Sequence, residues 1–265
     1  MDIPFSRWHS AIAGRISRRY FDPKRPIGPD ILAALDAVCN QFAPFPHARS
    51  RLVTESVECV FKGIIGSYGK IKDAPAFIAF VGNMDHPFVQ EEVGYTGEGI
   101  ILEATALGLN TCWVGGFCRP EVVASLIELG SKERVLAVTP VGYARKFESF
   151  GEKLMSGFGR HRNRLALSKL ASGLPMEKWP DWVNVSLEAA RLAPSAANRQ
   201  PWGFRIEEDG IRVLVRTRGP EFNVSRRLDC GIAMLHMEVA ALDCGCKGEW
   251  EFLSSPQVAK FKVHS

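Results

Sequence analysis

Two segments of the chain share a faint repeat, and this repeat constrains the fold more than any other feature of the sequence. A single offset pairs Gly94 with Gly231, Leu102 with Val239, Ala104 with Ala241 and Trp113 with Trp250. Upstream of each copy, a helical pattern ends at an Ala-Pro pair, at residues 43–44 and 193–194. Because repeated segments adopt the same supersecondary unit, the sequence predicts two similar halves, residues 1–155 and 156–265, that form one pseudo-dimer.

The predicted elements of both halves indicate an α+β fold. In the first half, the residue spacing predicts helices over 29–39 and 97–109 and strands over 75–81 and 135–143. In the second half, it predicts helices over 181–192 and 231–242 and a strand over 211–215. The later helix of each half is expected to be buried, since the first of these is apolar nearly all round. The irregular alternation differs from the regular order of a doubly wound nucleotide-binding sheet.

Composition and charge limit the class of protein. The 265 residues include 46% hydrophobic and 23% charged side chains, an ordinary globular composition. The net charge of +4 comes without the dense basic stripe of a nucleic-acid binder, so no nucleic-acid partner is expected. No apolar run approaches the roughly 18–20 residues of a membrane helix, and the N-terminus lacks a secretory-signal pattern. We therefore expect a cytoplasmic protein without membrane contact.

The cysteines and histidines indicate neither disulfides nor a metal site. Seven cysteines, an odd number, are scattered among apolar residues, which favours reduced thiols. The close pair Cys244 and Cys246 lacks the further ligands that a zinc site requires. Four histidines are isolated from one another and are expected to be surface or core residues rather than ligands: His47, His86, His161 and His236.

No glycine-rich nucleotide motif is present, because the glycines near residue 94 have the wrong spacing and no Gly-Lys-Ser/Thr triplet occurs. A phosphate-bearing ligand would therefore be held by side chains. Two arginine clusters, in residues 15–21 and 160–164, carry guanidinium groups that match phosphate oxygens. Each cluster taken alone is also compatible with a solvated basic face.

Residues 193–204 form the most informative segment. They place Ser195, Asn198 and Gln200 between two prolines and before Trp202, which predicts a rigid loop with free hydrogen-bonding groups. The segment resembles the A-P-S-x-x-N-x-Q-P-W-x-F signature of the nitroreductase-like FMN-dependent oxidoreductases. Further resemblances lie in the R-x-S-x-R-x-F motif at 15–21, the central helix and glycine turn at 102–117, the strand at 138–143 and the basic pair at 162–164.

The distribution of these motifs departs from the usual pattern of the family. Its members are usually homodimers, in which each flavin site takes the R-x-S-x-R motif from one subunit and the P-S-x-x-N loop from the other. Here the first motif occurs only in the first half and the second only in the second half. The matching loop of the first half, residues 43–49, lacks the Ser and Asn. The chain most closely resembles the tandem single-chain nitroreductases, which implies a monomer that mimics a dimer and keeps one composite site.

The resemblance implies FMN as the cofactor. The arginines and Ser17 would hold its phosphate and ribityl end, and the glycines would let the backbone approach the reactive edge of the ring. Trp113 and Trp202 are expected to be packing anchors. The residues implied to contact FMN are Arg15, Ser17, Arg19, Val114, Gly115, Gly116, Arg162, Arg164, Pro194, Ser195 and Asn198.

The implied activity has two stages. NAD(P)H passes hydride to the flavin N5, and an electron-poor acceptor, a nitroaromatic or a quinone, then takes the electrons. Solvent can deliver the protons, so no catalytic residue is assigned. Two alternatives stay open: a flavin-binding protein without turnover, such as a sensor or storage protein, and a specialised flavoenzyme of the same fold, such as a dehydrogenase or dehalogenase. Asp229 is expected to position the second buried helix or to lie near the site.

Overall fold

A computed structural model describes residues 1–61, 71–115, 119–145, 163–216, 221 and 223–264. The helices are α1 (Phe5–Gly14), α2 (Pro29–Gln41), α3 (Val57–Phe61), α4 (Val89–Ala106), α5 (Pro120–Leu126), α6 (Leu167–Leu170), α7 (Asp181–Arg191) and α8 (Arg226–Asp243), with short 3-10 helices at Met176–Lys178 and Ala196–Asn198. The strands are β1 (Ala48–Val53), β2 (Ala76–Asn83), β3 (Asn110–Thr111), β4 (Val114–Gly115), β5 (Glu133–Gly142), β6 (Ala171–Gly173), β7 (Trp202–Glu207), β8 (Gly210–Val215), β9 (Gly248–Phe252) and β10 (Gln257–Val263). This mixture confirms the predicted α+β class.

The described strands form two five-stranded sheets. The first has the order β1-β2-β5-β3, with β4 also paired to β5, and its pairs are antiparallel. The second has the order β6-β7-β8-β10-β9, and its β6-β7 pair is parallel while the others are antiparallel. The first sheet uses residues 48–142 and the second uses residues 171–263, so each sheet falls within one predicted half. The predicted boundary at residue 155 lies outside the described residues.

Two helices of 18 residues each, α4 and α8, lie against each other at the centre of the molecule. Both are buried as predicted, although both begin earlier than the apolar pattern suggests. They cross at the paired glycines of the repeat. A Cβ on Gly94 would lie 2.1 Å from the carbonyl oxygen of Leu228, and a Cβ on Gly231 would lie 2.1 Å from that of Glu91. Glycine at both positions therefore lets the two backbones touch. The two contacts are equivalent, because the offset that pairs Gly94 with Gly231 also pairs Glu91 with Leu228.

The other predicted elements are present, with bounds that differ by no more than two residues. The sequence pattern does not predict α1, β1 or the β9-β10 hairpin. Helix α1 docks through a short buried face, in which Trp8 is fully buried beside Ala11 and Ile12. Among the described residues, no helix is both long enough and apolar enough to span a membrane.

Candidate functional site

A cluster of basic and polar side chains lies where the N-terminal segment meets the segment before α6. Arg15 is the C-cap residue of α1, and its Nη1 lies 3.5 Å from Ser17 Oγ. Arg164 donates hydrogen bonds to Asn198 Oδ1 at 2.6 Å and to the carbonyl oxygen of Leu192 at 3.2 Å. Burial, together with the positive charge of Arg15, lowers the pKa of Arg164 to about 10. The structure thus brings together guanidinium groups from both halves of the chain.

This arginine cluster has the electrostatic character of an anion site. Two like charges that are partly removed from water repel each other, and an anion between them relieves the repulsion. Arg15 Nε is buried and forms no hydrogen bond within the described part of the chain. The nearest carboxylate oxygen, Glu98 Oε1, is 3.7 Å away, which is beyond hydrogen-bond distance but within ion-pair distance.

A buried carboxylate, Glu98 in α4, connects the arginine cluster to the core. Its Oε1 lies 3.7 Å from Arg15 Nε and 2.8 Å from His236 Nε2. Its Oε2 accepts a hydrogen bond from Trp113 Nε1 at 2.6 Å, and His236 Nδ1 lies 3.0 Å from the carbonyl oxygen of Ala189. Glu98 and His236 are fully buried, so they hold Arg15 from inside the protein. Sequence reasoning missed Glu98; a glutamate in the middle of a helix predicted to be buried is the signal that could have found it.

The loop before β7 is shaped by three residues in the left-handed backbone region. Ala197, Asn198 and Gln200 have φ values of 54°, 52° and 44°, which residues other than glycine adopt at an energetic cost. The Ser195 hydroxyl oxygen accepts a hydrogen bond from the backbone N–H of Gln200 at 2.9 Å. The Gln200 side chain in turn accepts a hydrogen bond from the backbone N–H of Leu165 at 2.8 Å. The loop is therefore tied to the segment that carries Arg164.

A second buried carboxylate, Asp229 in the first turn of α8, holds the same loop. It accepts hydrogen bonds from the backbone N–H of Ala196 at 3.2 Å and from Arg199 Nε at 2.7 Å. Burial raises the pKa of Asp229 to about 6, against the lowering effect of the Arg199 charge. Arg199 also donates to the carbonyl oxygen of Val224 at 2.8 Å. A Cβ on Gly115 would lie 2.6 Å from Val224 Cγ2, so this network reaches strand β4.

The predicted site residues fall into three groups. Those in or beside the arginine cluster are Arg15, Ser17, Arg164, Pro194, Ser195 and Asn198. Those placed by the first sheet and its neighbouring segment are Arg19, whose carbonyl oxygen accepts from the backbone N–H of Lys72, and Val114 and Gly115 on β4. Gly116 and Arg162 lie outside the described residues. Trp113 and Trp202 both pack against the hydrophobic core, as expected of anchors.

The prediction that the histidines are isolated from one another is wrong for His47 and His86. Their rings stack with centroids 3.8 Å apart and planes inclined by 11°. Both rings also lie within ion-pair distance of Glu92. They meet because β1 and β2 are antiparallel neighbours, so the residue before β1 lies close to the loop after β2. His236 is a buried core histidine as predicted, and His161 lies outside the described residues.

Comparisons with known proteins relate the chain to nitroreductases. A family model described as "Putative TM nitroreductase" matches residues 8–241. The crystal structure of a "putative nitroreductase" from Thermotoga maritima MSB8 has 20% identity and a TM-score of 0.65, and the match covers 97% of this chain and 93% of that chain. At this level of identity the match shows a shared fold, and it extends over both halves.

Two further solved structures match a smaller part of the chain. A nitroreductase family protein from Clostridium difficile 630 has 20% identity and a TM-score of 0.47, with 64% of this chain and 98% of that chain covered. A nitroreductase with bound FMN from Bacteroides fragilis NCTC 9343 has 18% identity and a TM-score of 0.42, with 52% and 89% covered. No curated protein matches the sequence at a significant level.

Proposed function

The chain belongs to the family described as "Putative TM nitroreductase", and we propose that it is an FMN-dependent oxidoreductase. The proposed reaction transfers hydride from NAD(P)H, by way of the flavin, to an electron-poor small molecule of the nitroaromatic or quinone class. The observation that carries the proposal is that Arg15 and Arg164, which come from different halves, lie close enough for the charge of Arg15 to lower the pKa of Arg164.

The arginine cluster fits the phosphate group of FMN. A phosphate between Arg15 and Arg164 would cancel their repulsion and accept charge-assisted hydrogen bonds from both guanidinium groups. Arg15 Nε faces the buried Glu98 carboxylate at 3.7 Å, so the terminal Nη groups of Arg15 are the donors that would bind the phosphate. Ser17 Oγ lies beside Arg15 and would add a neutral donor. We assign Arg19 and Arg162 to the ribityl and phosphate end on the strength of the sequence motif.

The loop before β7 would contact the flavin from the second half. Asn198 accepts from Arg164 and donates from Nδ2 to the carbonyl oxygen of Asn163 at 3.0 Å, so its amide orients Arg164. Ser195 accepts from Gln200, and among the described residues no group accepts its hydroxyl proton, which could therefore be donated to a ligand.

Strand β4 and the glycine after it would lie beside the flavin ring. We assign Val114, Gly115 and Gly116 to this position, where the two glycines have no side chain and let a planar ligand approach closely. The missing Cβ of Gly115 also makes room for Val224 from the second half. The same glycine would therefore serve both the ring and the contact between the halves.

The two halves would be diverged copies that imitate a homodimer within one chain. The contact of Gly94 with Leu228 and the contact of Gly231 with Glu91 are reciprocal, which is the rule at a two-fold interface. Each half also supplies a five-stranded sheet and one buried central helix. Because each half carries only part of the flavin motifs, this arrangement yields one composite site in a monomer.

The protein groups bind and orient, whereas bound FMN supplies the hydride chemistry. Arg15 and Arg164 hold the phosphate, and the buried Glu98 keeps Arg15 in place. Asp229 maintains the shape of the loop that presents Ser195. Charges that are fixed before the ligand arrives need no reorganisation during the reaction. Solvent supplies the protons for the acceptor.

Purification without added flavin tests the proposed function. We expect yellow protein with about one FMN per chain, because one composite site binds one cofactor. Oxidation of NADH or NADPH should then proceed steadily when a nitroaromatic or quinone acceptor is present. Protein that neither contains FMN nor takes it up would refute the proposal. Two flavins per chain would refute the single site, and FMN binding without turnover would indicate a flavin-binding protein instead.

A further inference from the structure

The first half carries a separate side-chain cluster close to its loop 43–49, which has lost the flavin motif. His47 precedes β1, His86 lies between β2 and α4, and Glu92 lies in the first turn of α4. The offset of the repeat pairs Glu92 with Asp229, the carboxylate that holds the loop of the second half. The cluster therefore takes the place in the first half that the Asp229–Arg199 pair takes in the second.

The distances in this cluster match those of a metal site. Glu92 Oε1 lies 3.4 Å from His47 Nδ1 and 3.0 Å from His86 Nε2. One ligand atom from each residue lies within 4.8 Å of the other two. Ligands at about 2.0–2.2 Å from a tetrahedral zinc ion are about 3.4 Å from one another, so these separations correspond to edges of such a tetrahedron. Two imidazoles and one carboxylate are also a ligand set that zinc uses in proteins.

The charge balance of Glu92 favours a bound cation. Its side chain is 3% exposed, and its Oε2 accepts no hydrogen bond from the described residues. In the described part of the chain, the basic groups within ion-pair distance of Glu92 are the two imidazoles, with no Lys or Arg among them. Asp229, by contrast, has a guanidinium at 2.7 Å. A buried carboxylate is costly unless it is paired with a charge or coordinates a metal.

We propose that His47, His86 and Glu92 bind a divalent transition-metal ion of the zinc class. Parallel rings do not direct both in-plane lone pairs at one point, so one imidazole turns about its Cβ–Cγ bond when the ion binds. The histidine side chains are 33% and 24% exposed, which leaves space for this rotation. Three protein ligands leave the fourth position to water or a small anion. The ion joins the loops before β1 and after β2 to α4 and so stabilises the first half.

Zinc titration of the full-length protein tests this proposal. Protein stripped with a chelator is titrated with zinc by calorimetry, and its Tm is measured with and without zinc. We expect one zinc ion per chain and a rise in Tm of roughly 5 °C at about 100 times the Kd. His86→Ala and Glu92→Gln should abolish both effects. His9→Ala is the matched control and should retain them, because His9 is a partly exposed histidine that pairs with Asp243 elsewhere on the surface.

Cysteine thiols are the competing ligands, and a second variant separates them from the proposed site. Cys244→Ser/Cys246→Ser removes two neighbouring thiols, of which Cys244 is exposed, and should leave zinc binding unchanged. Absence of saturable binding by the wild type, loss of binding in the cysteine variant, or unchanged binding in both ligand variants would overturn the proposal. Circular dichroism checks the folding of each protein. If His86→Ala does not fold, His47→Gln decides the question, since it removes a ligand at a partly exposed position.

Discussion

The first turns of α4 and α8 satisfy a buried carboxylate in different ways. Asp229 in α8 is paired with Arg199, whose guanidinium also binds carbonyl oxygens of the preceding loop. Glu92 in α4 faces the two stacked imidazoles of His47 and His86. A guanidinium is permanently charged, whereas an imidazole can be neutral, protonated or bound to metal. The second half therefore has a permanent partner beside the proposed flavin loop, and the first half has an adjustable one.

The helix crossing shows no such difference between the halves. Gly94 and Gly231 make the same backbone contact in both directions. A contact in the shared interior serves both halves equally, so a change on either side disturbs both. The loops around the two carboxylates differ, since the loop of the second half carries Ser195 and Asn198 whereas residues 43–49 of the first half have no such Ser or Asn.

Removal of the Asp229 carboxylate should cause the largest loss of stability and of bound FMN. Asp229→Ala leaves the Arg199 side chain, which is 11% exposed, without its carboxylate. Loss of one partner of a buried ion pair costs about 3–5 kcal/mol, and we expect the free energy of unfolding to fall by that amount together with the FMN content. Glu92→Ala in metal-free protein leaves no permanent charge behind and should cost about 1–2 kcal/mol without loss of FMN. Urea unfolding and flavin absorbance measure both effects, and equal losses would contradict the assignment.

The symmetry of the helix crossing can be tested with Gly94→Ala and Gly231→Ala. Each new Cβ would meet a backbone carbonyl oxygen at 2.1 Å, which forces α4 and α8 apart. Overpacking of this kind costs about 3 kcal/mol, and we expect similar losses of unfolding free energy for the two variants. Gly14→Ala is the control, because a Cβ on Gly14 would meet no atom within 4 Å. Strongly unequal losses would show that the crossing is not symmetric in energy.

The pH dependence of stability should separate the two carboxylates further. Burial raises the pKa of Asp229 from 3.8 to about 6, so the folded protein binds this proton more tightly than the unfolded chain. The contribution of Asp229 to the free energy of unfolding therefore falls as the pH rises between these two values and stays constant above them. Relative to Asp229→Asn, the wild type should lose about 2–3 kcal/mol between about pH 4 and about pH 7. A difference that does not vary with pH would contradict the raised pKa.

That measurement must compare two proteins, because the contributions of other carboxylates to stability change with pH in the opposite direction. Hydrogen bonds from Arg49 lower the pKa of Glu133 to about 2, and hydrogen bonds from Arg212 do the same for Glu207. Their stabilising contributions are present above the ordinary pKa of a glutamate and are lost as the pH falls towards about 2. The difference between wild type and Asp229→Asn cancels these contributions and leaves that of Asp229.

The parts of the candidate site that lie in short continuous motifs could be proposed from the sequence. Arg15 and Ser17 are two residues apart, and Ser195 and Asn198 share one loop, so their patterns are visible without a structure. The buried central helices were also predicted, because a run of apolar and small residues is visible in the same way. Both kinds of feature depend on residues that are neighbours in the chain.

The sequence did not predict the groups whose partners come from distant parts of the chain. Glu98 interrupts an apolar pattern, and only packing against α8 reveals that His236 is its partner. His47 and His86 are brought together by the antiparallel register of β1 and β2, which hydrophobic periodicity does not fix. Buried polar networks of this kind are decided by tertiary contacts, so single-sequence reasoning reads their members as isolated residues.

The smallest expected effect is the loss of FMN affinity when an arginine of the proposed phosphate site is replaced. Arg15→Gln and Arg164→Gln each remove one charged donor from the proposed phosphate site, and the Kd for FMN should rise about 10- to 30-fold. Arg164→Gln should change stability little, since it also removes the like charge that Arg15 repels. Arg15→Gln also takes the guanidinium away from the buried Glu98 carboxylate and should lower the free energy of unfolding as well. The control in the first half is Arg49→Gln. Arg49 is bound by Glu133 at 2.6 Å, and its loss should reduce stability without changing FMN affinity.

Riboflavin, which has the same ring but no phosphate, makes this last comparison decisive. If Arg15 and Arg164 contact the phosphate, their substitution should leave the weaker binding of riboflavin unchanged while it reduces the binding of FMN. Flavin fluorescence titration measures both affinities for each variant. Parallel losses for the two flavins would mean that the substitutions disturb the ring pocket or the fold. An equal loss of FMN affinity in Arg49→Gln would mean that the FMN site extends beyond the place where Arg15 meets the second half of the chain.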